Sequence, residues 1–226
     1  ALVAWRSKIA LEPTVGGGTT RAVFLGFGLA SLAVAVPFLW RPLAWKRLLA
    51  YSSLEHMGVI ALGIGFGHPL AIAGVVLHVA GHALAKALGF YAAIPLLQFQ
   101  PQAALRSARG VARTSPATAS AMGISLGSLS GLPPSPLFFS ELFVLLGGFL
   151  SGHGAVAAVA AVLLSLGFLG LVHALIESML GEPRDARAPD RRSSRLAAAL
   201  TLVVGIALLA ISETAIVSCI LITRLW

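Results

Sequence analysis

Residues 70–97 read LAIAGVVLHVAGHALAKALGFYAAIPLL, and this stretch decides which solvent the chain folds in. It sets two histidines and one lysine among apolar side chains and exceeds the roughly 20 residues that cross a hydrocarbon core as a helix. Its length and its Ala, Leu and Gly content exclude a barrel strand, which is short and alternates in polarity. His78, His82 and Lys86 stand at i, i+4 and i+8, so each advances only about 40° around the helix. They share one face over roughly 12 Å of axis, and lipid would not tolerate them unpaired.

The rest of the chain repeats the pattern. Its 226 residues are 58% hydrophobic and 11% charged, with a mean hydropathy of +0.92. A soluble domain of this length could not cover itself with polar surface. The net charge of +8 lies in short clusters such as Arg41, Lys46 and Arg47, or Arg106, Arg109 and Arg113. The positive-inside rule accounts for these without a nucleic-acid partner. Cys219 is the sole cysteine, so neither an intrachain disulfide nor a cysteine-based metal site is available. Trp5, Arg6, Ser7 and Lys8 interrupt the opening apolar run, which therefore differs from an ordinary signal peptide.

Further spanning helices are predicted near 22–40, 48–66, 154–180 and 196–223. Gly16 to Thr20 lacks the lysine of a phosphate loop and reads as a flexible connection. Between 115 and 150 an apolar stretch is broken at Gly131-Leu132-Pro133-Pro134-Ser135-Pro136, where three prolines block regular helix. Two readings stand: a break at membrane depth, lined by protein, or an ordinary interfacial turn. Residues 98–114 and 181–195 are polar loops, the second carrying Arg184, Asp185, Arg187, Asp190, Arg191, Arg192 and Arg195. Both look cytoplasmic by charge, and they share a side only if 115–150 crosses once as a single broken element. The predicted fold is an all-α polytopic transmembrane bundle of about six or seven helices, one of them Pro-broken near 131–136.

Imidazole near neutral pH takes a proton on one nitrogen and releases one from the other, and a lysine in a low-dielectric site can lose its charge. Three such groups on one face suit a proton relay; the alternatives are snorkelling or capping of neighbouring helices. Two histidines one turn apart can also hold zinc, but no Glu follows His78 directly as a metallopeptidase helix requires. Glu141, flanked by Phe138, Phe139, Leu142 and Phe143, is a proton acceptor and donor just after the break, or the partner of a loop arginine. Glu55 and His56 lie about two turns into another apolar helix, where a carboxylate needs a partner, while Lys46 at its start either joins them or snorkels. His173 and Glu177 are spaced as a local pair. Glu213 is assigned no role.

Together these segments resemble the antiporter-like proton-channel subunits of NADH:quinone oxidoreductase and membrane-bound hydrogenases, in the branch of hydrogenase-4 component F. The resemblance rests on Lys46-Arg47-Leu48-Leu49-Ala50-Tyr51-Ser52-Ser53-Leu54-Glu55-His56-Met57-Gly58, on His78-x3-His82-x3-Lys86, and on Gly131-Leu132-Pro133-Pro134 leading to Phe138-Phe139-Ser140-Glu141. It covers residues 20–180. It implies that Lys86 and His82 lie on a central polar axis with His78 beside them. It further implies that Glu141 takes the charged position of a discontinuous helix, where a half-channel meets the far aqueous side. Lys46 matches a lysine at the start of the Tyr-Ser-Ser helix, and Glu55-His56-Met57-Gly58 points to the hydrogenase-linked branch. Family members carry a preceding half-channel with a Glu and Lys pair, so residues 1–226 read as one transmembrane domain, the C-terminal half of a longer subunit. Residues 1–20 would then be the tail of a truncated helix.

The expected function is proton translocation as a membrane subunit of a quinone-reductase-like or hydrogenase-4-like complex. The relay set is Lys86, His82, His78, Glu141, Lys46, Glu55 and His56. No catalytic, cofactor-binding or metal-ligating residue is assigned, because neither a cysteine cluster nor a nucleotide fingerprint is present. Any oxidoreductase activity would belong to the assembly. The expected partners are other membrane subunits, the bilayer and protons, and the expected location is the bacterial inner membrane. A cation/proton antiporter subunit, handling sodium as well, and a non-conducting anchor are the alternatives.

Overall fold

The computed structural model describes residues 2–41, 43–104, 106–182 and 191–225. Arg184, Asp185, Arg187 and Asp190, and the side chains of Arg191, Arg192 and Cys219, lie outside the described residues. In chain order the helices are α1 (Leu2–Val15), α2 (Gly17–Leu39), α3 (Trp45–Phe66), α4 (Pro69–Phe99), α5 (Val111–Thr114), α6 (Pro116–Leu129), α7 (Pro136–Leu150), α8 (Gly154–Leu180) and α9 (Arg191–Leu225). The described residues contain no strand. Helices α2, α3, α4 and α8 are long and apolar enough to cross a membrane, and α7 and the 198–214 part of α9 are shorter apolar helices. The chain is an integral membrane protein with an all-α fold.

The reading of Gly16 to Thr20 as a flexible connection needs correction. Residues 2–15 are helical, and only Gly16, at φ 89°, acts as a connection. Gly17 to Thr20 are the first turn of α2, where the Thr20 hydroxyl donates back to the Gly16 carbonyl at 3.1 Å.

Helix α3 is the most enclosed of the long helices. It meets α2 where two glycines face each other: a Cβ on Gly28 would lie 2.9 Å from the Gly58 carbonyl, and one on Gly58 would lie 2.9 Å from the Gly28 carbonyl. Small residues let the two backbones approach this closely, as membrane helices without a hydrophobic driving force require.

The stretch between α6 and α7 is decided by its register along α4. Ser125 Oγ donates to the Ala85 carbonyl at 2.8 Å. A Cβ on Gly81 would meet Pro136, one on Gly74 the Ser140 carbonyl, and one on Gly147 the backbone of Ala71. Chain order in α6 and α7 therefore runs steadily down α4, and the break at 130–135 falls opposite residues 81–85, near the middle of that helix. With 14 and 15 residues, α6 and α7 each reach only about 21–23 Å, short of the ~30 Å core. Together they make one crossing. This is the membrane-depth break, not the interfacial turn.

The break is built by local rules. Leu132 N–H bonds the Gly127 carbonyl and Gly131 N–H the Ser128 carbonyl, both at 3.0 Å, with Gly131 at φ 75°. This double closure ends α6 and needs the left-handed backbone that glycine adopts without steric cost. Ser135 then caps α7 by accepting from Phe138 N–H at 3.3 Å, with Pro136 at the first helical position.

One end of the bundle gathers the basic loops. Arg109, just before α5, pairs with Glu177 near the end of α8, and Arg113 pairs with Glu182 at 2.8 Å. Residues 98–114 and the C-terminal end of α8 thus share a side, as a single crossing by α6 and α7 requires. His173 is not the partner of Glu177; its ring stacks on Trp40 at 6.3 Å, and the guanidinium of Arg109 takes the carboxylate.

Candidate functional site

Beside the break, α3, α4 and α7 bring their ionisable side chains together. The periodicity of α4 points His78, His82 and Lys86 toward α3. Ser52, Glu55 and His56 answer from that helix, and α7 adds Ser140 and Glu141. His56 and His78 are fully buried, Glu55 is 3% exposed and Lys86 7%, whereas His82 and Glu141 are half-buried.

Lys86 replaces its water shell with protein oxygens. Its Nζ donates to Ser52 Oγ at 2.6 Å and to the Leu49 carbonyl. Both acceptors lie one to two turns before Glu55, on the same enclosed helix. Among the described residues Lys86 forms no ion pair, although it lies within electrostatic reach of Glu55. The ammonium is held by neutral dipoles while its countercharge stands off. A direct pair would hold the proton on Lys86 more tightly than this separated one.

Glu55 occupies a notch in α8. A Cβ placed on Gly167 would lie 1.8 Å from Glu55 Oε1, so no other residue at 167 leaves room for the carboxylate in its present position. The second oxygen, Oε2, is buried with no hydrogen-bond partner among the described residues. Such an atom is costly to keep dry.

The histidines form the centre. His56 Nδ1 lies 3.0 Å from His78 Nε2, and His78 Nδ1 lies 2.7 Å from Ser140 Oγ. His82 reaches His56 edge to face, with ring centroids 4.7 Å apart, closer than its 6.3 Å to His78. Helix spacing alone makes His78 and His82 neighbours on α4, but His56 from α3 is the link between them. Glu141 completes the group. One of its oxygens and one nitrogen each of His56 and His78 lie within 4.8 Å of one another. Its carboxylate sits against the break, where a Cβ on Gly131 would come within 2.9 Å of Oε2. Glu141 also borders an open cleft of about 470 Å³ with Ser130, Gly131, Ser165 and Phe168. Among the described residues it pairs with no arginine.

Lys46 stands apart. It is exposed in the first turn of α3, nine residues and so about 13 Å of helix axis before Glu55. The other six expected relay residues converge, and this one stays at the basic end of the bundle.

Two imidazoles and a carboxylate are a donor set that zinc accepts. Here the facing nitrogens of His56 and His78 share a hydrogen bond and His78 Nδ1 is engaged by Ser140, so three of the four ring nitrogens are already in use, while His56 Nε2 makes no hydrogen bond of ordinary geometry among the described residues. Ser140, Ser52 and Gly167 were not singled out from the sequence. Ser140 and Ser52 lie inside the quoted Phe-Phe-Ser-Glu and Tyr-Ser-Ser runs, which was their one signal.

The transmembrane model of the NADH:quinone oxidoreductase/Mrp antiporter family matches residues 17–170. The chain is 31% identical over 186 residues to the hydrogenase-4 component F homolog of Methylacidiphilum infernorum, covering 82% of this chain and 39% of that protein. It is 32% identical over 188 residues to NADH-quinone oxidoreductase subunit N of Desulforudis audaxviator, covering 80% and 36%. Over 140 residues it is 31% identical to a Na(+)/H(+) antiporter subunit of Alkalihalophilus pseudofirmus, covering 62% and 28%. A chain of respiratory complex I from Thermus thermophilus with bound NADH shares the fold, with a TM-score of 0.77 at 24% identity over 90% of this chain and 43% of that one. The chain thus spans less than half the length of these relatives. Its fold and the reach of the family match, which takes in α2 to α7 and most of α8, lead to one conclusion: the chain belongs to the NADH:quinone oxidoreductase/Mrp antiporter family of transmembrane subunits.

Proposed function

We propose that this chain carries a stretch of proton path through the membrane, running from Lys86 by way of His82, His56 and His78 to Glu141. The observation that carries the reading is the 3.0 Å contact between His56 Nδ1 and His78 Nε2, buried at the depth of the helix break. Each ring accepts a proton on one nitrogen and gives one up from the other, so a proton arriving at His56 displaces another toward His78. Glu141 then exchanges it with the cleft beside the break. Glu55, within electrostatic reach of both Lys86 and Glu141, acts as the separated countercharge of Lys86. Intramembrane ionisable groups that face one another and a wettable break are the usual make-up of such a path.

In this reading the chain works beside other membrane subunits of a respiratory or hydrogenase-type complex in the bacterial inner membrane. The basic end, with Arg41, Arg47, Arg106, Arg109 and Arg113, faces the cytoplasm. The test is proton uptake by inverted membrane vesicles that contain the chain with its native partners, followed with a pH-sensitive dye. His78→Ala and Glu141→Gln should each abolish the chain's share of the uptake, and normal uptake in the double variant would refute the path. A second reading, sodium/proton exchange, is favoured by the likeness to the Na(+)/H(+) antiporter subunit. Uptake that requires sodium in the same vesicles would select it.

A further inference from the structure

The Ser140 hydroxyl owns one proton and stands between two acceptor positions at equal distance. Its Oγ lies 2.7 Å from the Leu137 carbonyl, one turn back in α7, and 2.7 Å from His78 Nδ1. The carbonyl can only accept, so the choice made by Ser140 dictates the tautomer of His78. When the hydroxyl donates to Leu137, its oxygen must accept from His78 Nδ1–H. His78 Nε2 is then a lone pair, and His56 Nδ1–H donates to it. When the hydroxyl turns to His78 Nδ1, the string inverts: His78 Nε2–H donates to His56 Nδ1, and His56 carries its own proton on Nε2. That Nε2 is the open end of the string; it is buried and makes no hydrogen bond of ordinary geometry among the described residues, while the Leu129 backbone lies within reach of the ring.

We propose that Ser140 is a positioning residue of the proton path, a hydroxyl rotor that keeps His78 Nδ1 hydrogen-bonded whichever nitrogen carries the proton. This rests on the proton-path reading. The balance is one proton in and one out. A proton taken up on His56 Nε2 sends the His56 Nδ1 proton to His78 Nε2. His78 then passes its Nδ1 proton to the Ser140 oxygen it faces, Ser140 releases its own proton toward Glu141, and the hydroxyl is left donating to the vacated nitrogen. A single passage needs no ring rotation in this packed site, where His56, His78 and Ser140 are all fully buried; it leaves His56 Nε2 protonated, so a second proton enters only after the tautomers have been reset. Without the hydroxyl, one of the two states leaves a buried N–H with no acceptor, so the string is biased and passage slows.

The test uses Ser140→Ala, which removes a single atom, and Ser140→Thr, which keeps a hydroxyl. Ring-nitrogen NMR of the 15N-histidine-labelled chain in lipid nanodiscs, assigned with His78→Gln, reads the tautomer directly. Ser140→Ala should move the His78 Nδ1 signal and lower vesicle proton uptake by about tenfold, while Ser140→Thr retains the native spectrum and most of the uptake. A His78 spectrum and an uptake unchanged in Ser140→Ala would overturn the proposal, as would equal loss of uptake in both variants with native spectra. A native chain that moves no protons sinks the path reading, whereas the spectrum still decides whether Ser140 sets the tautomer.

Discussion

The molecule keeps charge in two places and treats it in opposite ways. At the basic end, Arg109 and Arg113 meet Glu177 and Glu182 directly, each guanidinium on its own carboxylate. In the centre, Lys86, Glu55 and Glu141 form no ion pair among the described residues: Lys86 rests on a serine hydroxyl and a carbonyl, and His56, His78 and Ser140 hydrogen-bond to one another beside Glu141. Paired charges at a water-exposed end fix two segments to each other and have no reason to move. Separated charges beside groups that both give and take protons form an arrangement whose state can change. The same residue types therefore fasten the bundle at one end and make up the proposed proton path in the middle, and the difference lies in what stands between them.

The sharpest way to break the comparison is at its centre. His78→Ala removes the one residue bonded to both His56 and Ser140 and is expected to cut the chain's share of vesicle proton uptake by about 100-fold or more, whereas Arg109→Ala at the other end should leave it unchanged. Equal losses in the two variants would erase the distinction.

A smaller effect is expected from Gly167→Ala. The added Cβ would lie 1.8 Å from Glu55 Oε1, so the carboxylate or α8 must shift. Overpacking of this kind costs about 1–3 kcal/mol. It should lower the thermal midpoint in detergent and reduce uptake together, and a variant with both properties native would show that Glu55 does not depend on the notch.

At the paired end, Arg109 and Glu177 are 37% and 21% exposed, and a double-mutant cycle on them should give a coupling of about 0–1 kcal/mol. A coupling several times larger would mark the loop contact as a buried determinant of the fold rather than a surface staple. Least of all is expected from Lys46→Ala. Exposed and remote from Glu55, Lys46 should leave uptake native, and a clear loss would return it to the path.

Much of this was open to reading from local pattern. Run length and composition specify helices in lipid, and a four-residue spacing places His78, His82 and Lys86 on one face. The prolines and Gly131 announce the interruption between α6 and α7. The depth of that interruption was not legible, because a Pro-rich turn looks the same at the interface as in the middle of the bilayer. Its depth follows from the contacts of Ser125, Pro136, Ser140 and Gly147 along α4. The pairing of Glu177 was misread for a similar reason. Helix spacing offered His173, but the bundle folded back to present Arg109, a fully charged and forked donor.

The sequence by itself determined the solvent of this protein, its helical class, its family and which residues must be removed from lipid. Each of these is a property of runs and periods along one segment. Only the tertiary structure decided that His56 joins His78, that Glu55 lies against Gly167, and that the break stands opposite the middle of α4. Those contacts depend on the register and rotation of one helix against another. That geometry is set by the sum of many small packing contacts, and no single stretch of sequence records it.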